Sequence, residues 1–311
     1  MDVALPAEHA PLESPASLSG AEAPSVAPAD ARPARSPDLA ANPGHVPAGS
    51  AAPISVAGLE LITSAGWPGT EHRRLGDWVL RAGGGFTGRA NSTLPVGSPG
   101  VPLDDAVRQV QDFYHSRGLG ARFQIPCSAS DSPAAEVDEW LAGAGWVWAD
   151  PTLVLVGDLQ TMLSACERSR VAHRPLPTVV LADSPSESWL DGYRHRGHAL
   201  PAVAPDVLMA GDAPVFASMH QDSRRLGVAR GVVTDGWLGA TALEVEPEAR
   251  RRGVATGIMG AIGAWAWERG ARSVYLQVVA ENAVALAMYA GWGFVEHHRY
   301  HYRVEPPARD R

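Results

Sequence analysis

Residues 245–257 read Val-Glu-Pro-Glu-Ala-Arg-Arg-Arg-Gly-Val-Ala-Thr-Gly, an order of residue types that suits binding of a diphosphate. The apolar residues Ala242, Leu243 and Val245 predict a strand that runs into a basic turn. An apolar stretch with helical spacing follows the turn. The first N–H groups of a helix lack intrahelical partners and point outward, and the helix dipole favours negative charge at the same end. Gly253 allows a tight turn and lets a bulky anion reach the backbone. The candidate contacts are the side chains of Arg250, Arg251 and Arg252 and the backbone of Gly253, Val254, Ala255 and Thr256. Amides matter more than guanidinium groups here, because they are fixed in place. No Gly-Lys-Ser/Thr ends the run, so it is not a nucleotide P-loop, and it lacks the Gly-x-Gly-x-x-Gly of a dinucleotide fold.

Three further sets of residues could do chemistry. Glu244 and Glu246 share one face of the predicted strand, because side chains alternate; they are candidate proton acceptors, and a solvated strand end explains them equally well. Asn282 and Tyr289 sit at the start of and within a short helix before Gly293. Alone, Asn282 reads as a helix cap and Tyr289 as a core-face aromatic. His297, His298 and His301 fall on an alternating strand with no cysteine or carboxylate beside them, so no metal site is expected.

The ordered set Arg250-x-x-Gly253-x-Ala255, Asn282, Tyr289 and Gly293-Phe294 resembles the GNAT superfamily of N-acetyltransferases. The clear resemblance covers residues 231–304. It implies acetyl-CoA as co-substrate, with pantetheine completing the sheet between residues 243–245 and 273–279. It implies that Leu243 and Val245 flank that arm and that Asn282 hydrogen-bonds it or caps its helix. Tyr289 would be the acid for the departing thiolate, since a phenol of pKa about 10 is protonated at neutral pH. Many members place a glutamate as general base about six residues upstream of the Val245 position. Gly239 stands near there and cannot serve, which leaves Glu244, Glu246, Asp235 or a water chain. Residues 84–92 (Gly-Gly-Phe-Thr-Gly-Arg-Ala-Asn-Ser) and 299–303 resemble the two-half actinobacterial members.

The elements that position these residues occur twice. In the second half, 232–245 predicts a hairpin, 256–268 a helix, 273–279 a strand, 283–290 a helix and 294–304 a strand. In the first, 78–81 and 92–96 predict strands, 103–115 a helix, 122–125 a strand, 134–142 a helix and 146–156 a strand. The fold expected is an α/β mixed sheet, a tandem GNAT-like fold whose N-terminal half is degenerate. That half has Gly97-Ser-Pro-Gly-Val-Pro102 in place of the arginine turn, and prolines remove amide donors. Leu141 falls at the Tyr289 position. The boundaries are a disordered Ala/Pro-rich tail at 1–53, the degenerate half at 54–160, a linker at 161–176 and the acetyl-CoA-binding domain at 177–305.

Composition narrows the rest. A net charge of -8 over 311 residues gives no footprint for nucleic acid or an anionic membrane. No apolar run approaches the roughly 20 residues that span a bilayer. Two cysteines, Cys127 and Cys166, form no framework, so a reducing cytoplasm is expected. All 26 basic residues are arginine, a mark of genome base composition. The function expected is transfer of an acetyl group from acetyl-CoA to a primary amine on a small molecule or peptide, by a monomer or homodimer. The alternative is a non-catalytic acetyl-CoA sensor. Trp189, Tyr193, Trp237 and Phe86 would wall an acceptor pocket or fill a core.

Overall fold

Apolar alternation and helical apolar stripes follow one another along the chain and give eight α-helices and eleven strands among the described residues. The computed structural model describes residues 54–127, 132–172, 176–194 and 198–307; the tail expected at 1–53 lies outside them. The first half comprises α1 (Val56–Gly66), β1 (Glu71–Leu75), β2 (Trp78–Ala82), β3 (Thr93–Leu94), α2 (Leu103–His115), β4 (Arg122–Cys127), α3 (Pro133–Gly143) and β5 (Val147–Asp158). After α4 (Leu159–Ala172) come β6 (Val179–Ala182), α5 (Glu187–Gly192), α6 (Ala204–Met209), β7 (Val215–Gln221), β8 (Arg224–Thr234) and β9 (Trp237–Val245). The chain then forms α7 (Val254–Glu268), β10 (Ser273–Val279), α8 (Ala283–Gly291) and β11 (Val295–Val304).

All eleven strands join one mixed sheet in the order β1-β2-β3-β4-β11-β5-β10-β9-β8-β7-β6. The repeat expected from sequence is visible in the pairings. An antiparallel β2–β3 pair followed by a parallel β3–β4 pair matches antiparallel β8–β9 followed by parallel β9–β10. The closing strands are exchanged. β5 of the first half pairs with β10 of the second, and β11 of the second pairs with β4 of the first. A boundary near residue 160 therefore separates the halves along the chain but not in space, and the described residues all fall in one contact unit.

The segment expected as a linker is helical for most of its length. That helix is α4, whose apolar residues Leu159, Met162 and Cys166 are buried in the core of the second half. A Cβ on Gly263 of α7 would lie 2.7 Å from the Met162 Cε, and one on Gly260 3.5 Å from the Cys166 Cβ. The glycines of α7, costly to an isolated helix, let α4 approach closely, and that docking offsets the cost.

The opposite face of the sheet carries α1. Leu59 and Ile62 of α1 pack on Val154, Tyr275, Tyr300 and Tyr302, which come from both halves. Glu60 of α1 is fully buried and accepts from Gln124 Nε2 at 2.7 Å, while its other oxygen meets His298 Nε2 at 2.7 Å. Arg81 extends the chain by donating to Gln124 Oε1 at 2.9 Å. Removing one member of such a buried network leaves the others unpaired, so the network ties α1, β2, β4 and β11 together.

Candidate active site

β9 and β10 run parallel, and their pairing stops early. Ser273, Val274 and Tyr275 face Trp237, Leu238 and Gly239, and no pair follows. Residues 240–245 and 276–279 thus border a gap in the sheet, with unpaired backbone along both sides. β9 also carries a bulge against β8. Val228 pairs with Glu244 and Arg230 with Thr241, so three steps on β9 oppose two on β8, and Ala242 takes a positive φ of 53°. A bulge next to a site re-aims the side chains beyond it.

The α7 N-terminus stands at the open end of this gap. Gly253 is its N-cap residue, in the left-handed region at φ 84°, and no side chain caps the helix. The first helical bond runs from Gly257 N to the Gly253 carbonyl, so the N–H groups of Val254, Ala255 and Thr256 have no helical partner. Arg250, Arg251 and Arg252 are exposed beside them. Arg250 Nε donates to the Val245 carbonyl at 3.2 Å and Arg252 to Gln221 at 3.2 Å. Leu243 and Val245 face α7 and are partly buried in its core. An uncapped, arginine-rich helix start above a gap edged by free amides fits a diphosphate carried on a long flexible arm.

The corresponding place in the first half differs. Asp77 already accepts from Ser98 N at 2.9 Å, and the Ser98 hydroxyl accepts from Gly100 N at 3.1 Å. Asp104 and Asp105 occupy the first turn of α2. The protein's own oxygens hold the turn, no arginine precedes the helix, and two carboxylates lie in its first turn, where a diphosphate would sit.

The two candidate carboxylates of β9 have separate fates. Glu246 pairs with Arg225 at 2.6 Å. Glu244 lies on the face away from α7, 3.8 Å from Arg250. Burial raises its carboxyl above the ordinary range; Arg250 opposes this and Glu246 adds to it. The Gly239 position is filled from elsewhere: a Cβ there would lie 2.3 Å from the Tyr275 hydroxyl. Tyr275 is buried, and burial pushes its phenol up to about 12.

Asn282 caps α8, its Oδ1 accepting from Ala285 N at 3.1 Å. Tyr289 is 9% exposed, with its ring 5.8 Å from those of both Trp292 and Phe294. Burial pushes its phenol up to about 12, and its hydroxyl makes no hydrogen bond among the described residues. Phe86, Trp189 and Tyr193 are buried together with Trp67 in one apolar core cluster on the face away from α7. Trp237 packs instead with Tyr275 and α1. His298 faces Glu60, and His301 Nε2 lies 2.8 Å from Asp138 Oδ1. Local spacing could not supply these carboxylates, which arrive from α1 and α3. Tyr275, Thr241, Gln277 and Arg89 were also missed, because only strand register brings them to the gap.

The family described as "Probable histone acetyltransferase Rv0428c C-terminal" matches residues 55–303. "Uncharacterized N-acetyltransferase YobR" of Bacillus subtilis (strain 168) is 27% identical over 259 residues, which cover 79% of this chain and 97% of that protein. "Probable histone acetyltransferase Rv0428c" of Mycobacterium tuberculosis (strain ATCC 25618 / H37Rv) is 28% identical over 252 residues, covering 79% of this chain and 73% of that protein. Among solved structures, a GCN5-related N-acetyltransferase from Kribbella flavida superposes with a TM-score of 0.55 at 12% identity, covering 81% of this chain and 96% of that one. This last likeness is one of fold. No helix among the described residues is long and apolar enough to cross a membrane.

Proposed function

We propose that this chain, which belongs to the family described as probable histone acetyltransferase Rv0428c C-terminal and hence to the GNAT N-acetyltransferases, moves an acetyl group from acetyl-CoA directly to an amine. The observation that carries this reading is the uncapped, arginine-flanked start of α7 above the gap between β9 and β10. Acetyl-CoA supplies the acyl group as a thioester. The chain supplies the rest. The α7 amides and Arg250–Arg252 hold the diphosphate, and the free edges of β9 and β10 hold the arm. Fixing amine and acyl carbon at one place removes much of the entropic barrier.

Glu244 is the residue we assign as base. It lies on the acceptor face beyond the bulge, and burial moves its proton affinity towards neutrality, which suits removal of a proton from an ammonium group. Tyr289 is the proton donor at the sulfur. Its buried phenol stays protonated across the physiological range, and its hydroxyl is not committed to a described residue. Glu246 is bound to Arg225 and holds the turn before the arginines rather than moving protons. A cytoplasmic monomer or homodimer, with no nucleic-acid or membrane partner, completes the reading.

The test is release of free CoA from acetyl-CoA by the purified chain, with and without amines, amino acids, peptides and aminoglycosides. The chain has no lysine, so acylation of its own lysine side chains cannot contribute to the signal. Steady turnover with one acceptor class supports the proposal. Tight binding of acetyl-CoA with no turnover for any class overturns it in favour of a sensor.

A further inference from the structure

The acceptor side of the gap holds a cation that has no counter-ion among the described residues. Past the last β9–β10 pair, Gly239↔Tyr275, the next residues on the same face are Thr241 and Gln277. Thr241 pairs with Arg230, whose side chain reaches the Leu208 and Gly66 carbonyls, so Thr241 lies on the α1 face, away from α7. Its Oγ1 is buried with no hydrogen-bond partner among the described residues. Opposite, Gln277 Oε1 accepts from Arg89 Nη1 at 2.7 Å. The Arg89 guanidinium lies 4.8 Å from the centre of the Trp67 ring.

Arg89 is half-buried and makes no ion pair among the described residues. One of its five N–H donors is engaged by a side chain. Arg230, at 4.8 Å from the same tryptophan ring, also meets only neutral groups among the described residues, but its donors are used by the carbonyls of Leu208, Gly66 and Ala210. Two cations flank one ring in a chain of net charge -8. Burying an unpaired charge is costly.

The loop that presents Arg89 is tied together by its own hydrogen bonds. Asn91 Oδ1 accepts from Gly83 N and Gly85 N, each at 2.9 Å, and its Nδ2 donates to the Phe86 and Thr87 carbonyls. A Cβ on Gly88 would meet Arg122 Nη1 at 2.8 Å. Residues 84–92, which no part of the coenzyme site uses, thus hold one guanidinium at the gap from the other half of the molecule.

Resting on the acetyl-transfer reading, we propose that Arg89 binds a carboxylate on the acceptor, with Thr241 Oγ1 as a second donor, so that the substrate is an amine that also carries a carboxylate, as an amino acid does. The guanidinium matches a carboxylate with two parallel hydrogen bonds. Internal lysine side chains, which bear no carboxylate, are poorer acceptors on this reading.

The experiment compares amino acids with their amides as acceptors for the wild type, Arg89→Gln and Arg89→Lys. Acetyl-CoA affinity by calorimetry and the unfolding midpoint are measured alongside. The expected result is kcat/KM at least about tenfold higher for the acids in the wild type, a scale set by charge-assisted hydrogen bonds. In Arg89→Gln the acid-to-amide ratio falls towards one while acetyl-CoA affinity is retained; Arg89→Lys keeps part of the ratio. An acid-to-amide ratio near one in the wild type, or a ratio unchanged by either substitution, overturns the proposal. So does a preference for succinyl-CoA over acetyl-CoA that Arg89→Gln abolishes, which would place the carboxylate on the acyl group. If no amine turns over, acetyl transfer itself has failed. The carboxylate site is then read by titrating acids and amides into the CoA-loaded protein, where an Arg89-dependent preference for acids supports it and equal binding overturns it.

Discussion

Replacing Gly253 by glutamate perturbs coenzyme binding in two separable ways. The residue takes φ 84° and ψ 2°. Any L-residue there costs about 1–2 kcal/mol, or about 2–8 °C in Tm for a domain of this size. Gly253→Ala should show that cost alone. Glutamate adds a charge beside the α7 amides. Two unit charges 6 Å apart repel by about 0.7 kcal/mol at the dielectric of water and about 3 kcal/mol at an effective value of 20. A diphosphate carries about two such charges, so Gly253→Glu should weaken acetyl-CoA by about ten- to ten-thousandfold. The matching substitution in the first half, Gly100→Glu, also falls on a positive φ, 76°, and should leave acetyl-CoA affinity unchanged. Calorimetry on the three variants reads these effects. Equal affinity in Gly253→Glu and wild type, or equal losses in Gly253→Ala and Gly253→Glu, would refute the argument that the α7 amides hold the diphosphate.

Other expectations follow from the same site. Tyr289→Phe should lower single-turnover acyl transfer by about 10²- to 10⁴-fold with coenzyme affinity intact; a change of only a few-fold, small against that range, would make Tyr289 a core residue. For Glu244, kcat/KM should rise with pH through a carboxyl pKa above the ordinary range, and Glu244→Gln should erase that limb. The raised pKa also carries a stability sign. The folded state binds the extra proton, so stability falls as pH rises through the interval, and Glu244→Gln should unfold no earlier than wild type at neutral pH. Finally, calorimetric titration should give one acetyl-CoA per chain, because Asp77, Asp104 and Asp105 hold and charge the first-half turn; a stoichiometry of two would contradict this.

Much of the architecture was legible in residue order. The elements with strong periodicity, such as the helices at 103–115 and 256–268 and the strand at 273–279, lie where the apolar pattern put them, within a residue or two at their ends. The repeat was legible too, since each half reuses one order of strands and helices. So was the turn at 250–256, because the unpaired amides of a helix start and a glycine of positive φ are local properties, as is the Asn282 cap.

Tertiary structure decided what depends on residues far apart in the chain. The exchange of β5 and β11 leaves no local signature, because either strand's alternation satisfies either neighbour. α4 read as a linker since its docking surface is the row of glycines on α7, a cost in one element that is offset only by another. The parting of β9 and β10 after Gly239 and Tyr275, the Tyr275 phenol in the place beside Gly239, and the separate fates of Glu244 and Glu246 all follow from register and packing. Arg89 is the clearest case. It lies 188 residues from Gln277 along the chain, and only the folding of one half against the other brings its charge to the gap.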